Sequence, residues 1–235
     1  MIRLYVDEPL SENKEIELNE NQSHYLLKVM RLKEGDALLL FNGKEGEWKA
    51  RLGAPHKKSA SVLVLSLTRP QCVDADLWLL FSPLKPKRQA FLIEKATELG
   101  VACLWPIGCE RTSFPKVNLA KMQAHVIEAA EQCGRLTLPF VNPLVTLPKL
   151  LEQWSQTRLL LFGDESLTSP PLASLSLAPH KPYAFLVGPE GGFTRQELSL
   201  LKSCPYAQGV TLSPHILRAE TAALVGISYL QLIIF

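Results

Sequence analysis

The sequence predicts an α/β protein with a small all-β region in front of it, and three observations carry that prediction. Over residues 1–72, short apolar–polar alternations are separated by turn residues. From Asp76 onward, compact apolar strands alternate with helical segments. The 235 residues are 47% hydrophobic and 20% charged, an ordinary globular composition that excludes a disordered or low-complexity chain.

In the first region Ile2, Leu4 and Val6 alternate with Arg3 and Tyr5, as in a half-buried strand. Further strand-like runs lie at 37–41, 47–52 and 60–67. They are punctuated by Glu34-Gly35-Asp36, by Asn42-Gly43 and by the stretch around Pro55. One helical segment, 24–32, interrupts them. This pattern suggests a small β-barrel or sandwich. The boundary falls near residues 69–73, so the domains are read as 1–72 and 73–235.

The second region opens with an apolar strand at 77–81, followed by a helix over 87–99 with Gly100 placed as a C-cap. A buried strand is expected at 101–107 and a longer helix over 117–133, stopped by Gly134. A helix near 148–154, a strand at 158–162 and a Ser/Pro-rich loop over 164–182 follow. The last elements are a strand at 183–187, a helix over 195–204, a strand at 209–212 and a helix from Glu220 to the end. Such alternation implies a mostly parallel sheet covered on both faces.

Twenty-five Lys and Arg against 23 Asp and Glu leave a net charge of +2, which by itself gives no hint of nucleic acid. The average conceals a local excess. Residues 21–72 hold nine basic side chains (Lys28, Arg31, Lys33, Lys44, Lys49, Arg51, Lys57, Lys58 and Arg69) against four acids. That stretch reads either as a solvated barrel surface or as a phosphate-contacting face. The N-terminal MIRLYVDEP lacks the basic-then-apolar pattern of a signal peptide, and the apolar run 222–235 is shorter than the ~20 residues of a membrane span. The five cysteines form no C-x-x-C pair, and the histidines show no metal-ligand spacing beside them. The cysteines are therefore expected to be small buried hydrophobes, in a cytoplasmic protein without a metal.

Two constellations carry chemistry. Gly188-Pro189-Glu190-Gly191-Gly192-Phe193 directly follows the strand 183–187, and Thr194 with Glu197 has capping-box spacing. Glycines between a buried strand and a helix permit a close ligand approach at the carboxyl end of the strand. The loop is neither a Walker loop nor G-x-G-x-x-G, so it reads as a nucleoside-type site or as a tight structural turn. The second constellation, 212–223, places Arg218, Glu220 and Thr221 at the start of a helix that is apolar nearly all round. Buried polar groups there need partners from ligand, backbone or one another. The plainer reading is a helix start with Glu220 near the positive end of the dipole.

Together, the GPEGGF loop and the ILRAETAA segment resemble the SPOUT-class methyltransferases, specifically the RsmE family of ribosomal RNA small-subunit methyltransferases that modify uridine at N3. The resemblance runs nearly end to end. It includes residues 24–31 with Gly35-Asp36, the segment 85–100, Glu110-Arg111-Thr112 and the run 131–135. It departs at Leu212-Ser213-Pro214-His215, where the family usually has Leu-Gly-x-Arg. There the chain loses a glycine and exchanges a permanent cation for a partly charged histidine.

The resemblance implies a PUA-like RNA-binding barrel, then a SPOUT-type parallel sheet with a C-terminal deep trefoil knot, assembled as a homodimer through the C-terminal domain. It implies S-adenosylmethionine (SAM) as cofactor and 16S rRNA of the small ribosomal subunit as partner. Carried over by position, the SAM site comprises Gly163, Leu186, Gly188, Glu190, Gly191 and Gly192 from the first two loops. Leu212, Ser213, Ile216, Leu217, Thr221 and Ala222 complete it. Uracil N3 has no free lone pair until its proton leaves, so catalysis requires alignment and stabilisation of the uracil anion. Arg218 is the first candidate for that role and Arg135, from the partner subunit, the second. Glu220 accepts a proton or, the preferred reading, orients Arg218. His24, Arg31, Lys33, Lys85, Arg88 and Arg111 are the RNA-contact candidates. The alternatives are a noncatalytic RNA-binding or ribosome-assembly factor whose SAM site has decayed through Ser213 and His215, and a nucleotide-dependent metabolic enzyme suggested only by the α/β pattern and the glycine loop.

Overall fold

The computed structural model describes residues 1–54 and 59–234. The turn expected around Pro55, the basic residues Lys57 and Lys58, and the final Phe235 lie outside the described residues. The chain forms two compact units: residues 1–73 with 130–138, and residues 74–129 with 139–234.

In the first unit β1 (Arg3–Tyr5), β2 (Glu15–Glu17), β3 (Ala37–Phe41), β4 (Glu47–Leu52) and β5 (Ser61–Arg69) make one sheet in the order β1-β3-β4-β5-β2. β1 runs parallel to β3, and the other pairs are antiparallel. Alternation works as the period of two demands: Leu38 and Leu40 of β3, Ala50 and Leu52 of β4, and Val62 and Val64 of β5 all turn into one core. β2 escaped the sequence reading because only Ile16 of its three residues is apolar. Residues 130–138 belong to this unit through Ala130 and Leu136, which pack with Phe41, and through the Ala130, Glu131 and Arg135 carbonyls, which accept from the Arg3 guanidinium.

The helix expected over 24–32 is displaced and of another kind. α1 (Glu20–His24) starts at Asn19, whose side chain accepts from Gln22 N while the Gln22 side chain accepts from Asn19 N. A π-helical turn, Tyr25–Val29, follows, and Met30 N donates to the Tyr25 carbonyl at 2.9 Å. Arg31, at φ 57°, ends it. The Asn19-x-x-Gln22 spacing was the available signal for the earlier start.

The second unit is a parallel sheet. Its elements are β6 (Leu77–Phe81), α2 (Pro86–Glu98), β7 (Cys103–Gly108), α3 (Leu119–Cys133), β8 (Phe140–Val141), β9 (Val145–Thr146) and α4 (Leu147–Glu152). After these come β10 (Leu159–Gly163), β11 (Tyr183–Val187), α5 (Arg195–Ser203), β12 (Ala207–Val210) and α6 (Ala219–Ile234). The order is β12-β10-β11-β6-β7-β8, with β9 also paired to β7. α3 crosses the division: its last residues, from Ala130, count with the first unit. The strand expected at 209–212 lies two residues earlier, because Thr211 leaves the sheet to form an isolated bridge with Pro171.

Strands buried on both faces read as continuous apolar runs, and all five residues of β11 are buried. α6 packs over β6 and β11 and beside α2, and it can do so because Gly226 faces the Phe185 ring, where a Cβ would collide. Among the described residues no helix is long and apolar enough to cross a membrane. The cysteines correct the uniform expectation. Cys103 and Cys109 are buried, Cys204 is half-buried, and Cys72 and Cys133 are exposed, on the segment after β5 and at the last residue of α3. All five are free thiols.

Candidate active site

Parallel register brings three strand ends together. Gly163 of β10 pairs with Val210 of β12, and Phe162 pairs with Leu186 of β11. The chain leaving these ends, with Lys85 and Arg88 from the start of α2, lines a cavity of about 450 Å³. Its position, outside the carboxyl ends of parallel strands, is where open α/β sheets bind ligands, and its volume suits a small molecule. Val187, Val210, Leu212 and Leu217 supply apolar wall, while Glu165, Glu190 and Arg218 supply charge.

The glycine loop after β11 is fastened at several points. Arg111 donates to the Gly191 carbonyl at 2.8 Å. Arg88 forms a close ion pair with Glu190, and its Nε lies 3.6 Å from Glu220 Oε1. The capping box expected from Thr194 and Glu197 is present. Glu197, buried, accepts from Thr194 N at 2.8 Å and with its other oxygen from Glu110 N at 2.9 Å. Gly192 sits at φ 70°, and a Cβ there would land on the Glu165 carboxylate. Glycine takes that left-handed conformation without strain.

Two acids after β10 were missed by the sequence reading. Asp164 is buried and accepts from Ser166 Oγ at 2.6 Å, from Ser169 Oγ at 2.7 Å and pairs with Lys202 at 3.1 Å. Burial pushes its carboxyl up, but these hydrogen bonds outweigh it and hold the pKa at about 2. Glu165 goes the other way: burial raises it and the Arg111 charge only partly compensates. An acid directly behind an apolar strand was the signal that could have located them.

The segment leading into α6 is held more loosely. Ser213 Oγ accepts from His215 N at 3.1 Å, Ile216 is 76% exposed, and Arg218 is exposed with no side-chain partner among the described residues. Among the described residues the ion-pair partner of Glu220 is Arg88 rather than Arg218. Arg218 precedes the first residue of α6, whereas Glu220 in its first turn faces Arg88 of α2, and the buried Glu220 Oε2 has no hydrogen-bond partner.

The cavity brings together Gly163, Gly188, Glu190, Leu212, Ser213, Ile216, Leu217 and Ala222 of the residues expected to hold a cofactor, with Lys85, Arg88 and Arg218. Leu186 lies wholly buried within β11, one residue before the wall-forming Val187. Gly191 and Gly192 belong to the loop but not to the lining, and Thr221 is exposed on α6. Arg135 lies in the first unit, where its Nε donates to Thr137 Oγ1 at 3.0 Å. His24, Arg31 and Lys33 are exposed in that unit, whereas Arg69 of the basic stretch is engaged with Glu47 at 2.8 Å. Glu47 also takes Arg3 at 2.7 Å. Burial pushes its carboxyl up, and the two guanidinium groups bring it below the ordinary range.

Comparison with known proteins agrees with this architecture. Residues 72–231 match the family described as RNA methyltransferase domain, and residues 18–65 match the RNA methyltransferase PUA domain. The chain is 34% identical to ribosomal RNA small subunit methyltransferase E of Rickettsia conorii over 232 residues, covering 98% of this chain and 95% of the relative. The Synechocystis protein of the same name is 33% identical over 92% of this chain and 72% of its own length. The crystal structure of the Neisseria gonorrhoeae protein of that name, bound to S-adenosyl methionine, superposes with a TM-score of 0.90 at 32% identity, covering 100% of this chain and 98% of that one. A parallel sheet with a cavity at the ends of β10, β11 and β12, and sequence similarity along both units, give one answer: the chain belongs to the RNA methyltransferase family of ribosomal RNA small subunit methyltransferase E.

Proposed function

We propose that this protein is a SAM-dependent methyltransferase that methylates N3 of a uridine in 16S rRNA of the small ribosomal subunit. The observation that carries the reading is the cavity at three parallel strand ends, in a chain whose family relatives are rRNA methyltransferases. The lining fits the cofactor. The carboxylates of Asp164, Glu165 and Glu190 share the lining with the cations Lys85, Arg88 and Arg218, and the rest of the wall is largely apolar, a mixed surface with acids for a cationic ammonium and sulfonium and apolar wall for a purine nucleoside. Glu165, Glu190 and the Gly163, Gly188 and Leu212–Leu217 backbone would hold it; Leu186, Gly191, Gly192 and Thr221 would shape the surrounding loops. Bound there, SAM supplies an activated methyl group.

The protein's own contribution is to position the base and stabilise charge. Arg218 stands on the cavity wall with a guanidinium that has no partner among the described residues, and it stabilises the uracil anion that forms as N3 gives its proton to water. Arg135, delivered by the partner subunit, is the second candidate. Glu220 acts as a positioning residue through Arg88. The target base must be single-stranded or flipped out to reach the cavity. Residues 1–72 serve as the PUA-like RNA-binding domain, with His24, Arg31 and Lys33 on its RNA face. Residues 73–235 serve as the methyltransferase domain, with the trefoil knot and a homodimer interface on the apolar α6. The protein works in the cytoplasm.

The test is methyl transfer from SAM to small subunits isolated from cells lacking the modification, read by mass spectrometry of rRNA nucleosides. The expected product is 3-methyluridine. Absence of transfer while SAM binds would reject the activity, and absence of SAM binding in calorimetry would select the noncatalytic assembly factor.

A further inference from the structure

A second cavity, of about 170 Å³, lies on the other flank of the first turn of α2. Lys85 and Arg88 line the first cavity, whereas Pro86 and Gln89 line the second, so the two lie on different flanks of the same turn with the body of the helix between them. That is a distance on the order of 10 Å, the diameter of a helix with its side chains.

The lining of this cavity has one chemical character. Ile93 and Met122 form a buried apolar floor, and Phe114 offers an aromatic wall. Every polar side chain at its rim has donors to spare. Lys116, Lys121 and His125 have no side-chain partner among the described residues. The oxygen of Gln89 accepts from Leu84 N and that of Asn118 from Lys121 N, so both amides present their NH₂ groups. No carboxylate lines it. A floor for a flat apolar face, ringed by donors and cations, complements a ligand with a π-face, carbonyl acceptors and an anionic backbone. The contrast with the cations first expected to touch RNA strengthens this: Arg88 and Arg111 are spent on the glycine loop.

We infer that this cavity is a subsite for a nucleotide of the RNA strand next to the methylated uridine. The base of that nucleotide stacks on Phe114, and Lys116 and Lys121 hold its phosphates. The inference rests on the function proposed above. It adds a binding site for the flanking sequence, by which the enzyme recognises the context of its target.

The test uses the full-length protein, with small ribosomal subunits lacking the modification and a 16S rRNA transcript as probes. For the double variant Lys116→Ala/Lys121→Ala, RNA affinity should fall and the slope of log affinity against log salt should shrink by about 1.4, two single-strand phosphate contacts, with SAM affinity unchanged. Phe114→Ala should weaken RNA binding about 5- to 150-fold without altering the salt slope. Thermal melting confirms that the variants fold, and Phe114→Trp should restore binding if stacking is the interaction. RNA affinity and salt slope equal to wild type in the lysine variant would overturn the subsite. So would a changed assembly state with unaltered RNA affinity, which would assign the cavity to a subunit contact. Failure of the wild-type protein to methylate either RNA would instead reject the underlying function, so the two failures are distinct.

Discussion

The glycine loop over 188–193 and the segment over 213–218 face the same cavity but are built oppositely. In the first, Arg88, Arg111 and Glu197 engage the groups around it, and a buried Glu197 anchors the helix behind it. In the second, His215 N donates to Ser213 Oγ at 3.1 Å and Ala222 N to the Arg218 carbonyl at 2.8 Å, while the Ile216 and Arg218 side chains stand in solvent. The difference separates two jobs. A small ligand is held by a surface that does not have to move, because preorganised groups cost no further ordering on binding. On the second segment, whose backbone is proposed to hold the cofactor as well, the unpaired Arg218 guanidinium is the group left for a macromolecular substrate.

Breaking the loose side should have the largest catalytic effect. Arg218→Ala should lower turnover by about 10²–10³-fold, the range for loss of one group that stabilises developing charge, while calorimetric SAM affinity stays unchanged. An unaltered rate would remove Arg218 from the mechanism. Breaking the tight side should act on binding instead. Gly192→Ala puts a Cβ at a left-handed backbone position, a strain of about 1–3 kcal/mol, and displaces the Glu165 carboxylate from its place on the cavity, so it should weaken SAM binding by about tenfold.

Arg88 sharpens the comparison, because it could serve either side. Arg88→Ala strips Glu190 and Glu220 of their common cation and leaves the half-buried Glu220 without a partner at either oxygen, at a cost of about 1–3 kcal/mol. A lowered Tm and weaker SAM binding are expected, with no change in the salt slope for RNA. A reduced salt slope would return Arg88 to the RNA face. The smallest effect concerns the acid limb of stability. Asp164, held at about 2 in the folded protein, contributes stability that is present above its unfolded pKa near 4 and is lost as pH falls toward 2. Asp164→Asn should therefore cost on the order of 2 kcal/mol at neutral pH and flatten the decline of Tm between pH 5 and 2.

Strong local signals located most of the scaffold. The apolar runs of β6, β10 and β11, the Thr194/Glu197 capping box and the glycines after α2 and α3 are each decided within a few residues. Where the local signal was weak or ambiguous, the reading slipped. The π-helical turn at Tyr25–Val29 follows a capping box that lies before the apolar residues, and β2 owes its existence to pairing with β5. Exposure of Cys72 and Cys133 depends on where their segments lie, which composition does not encode.

The site divides in the same way. The sequence alone identified the GPEGGF loop and Arg218, because glycine spacing and a charged residue entering an apolar helix are local facts. Only the tertiary structure decided which cations are free. Arg88 and Arg69 carry the same charge in the sequence as Lys116 and Lys121, yet the first two are neutralised by Glu190 and Glu47, brought to them from 102 and 22 residues away. Charge composition counts side chains, whereas recognition depends on those left unpaired, and pairing across such separations is settled by the fold.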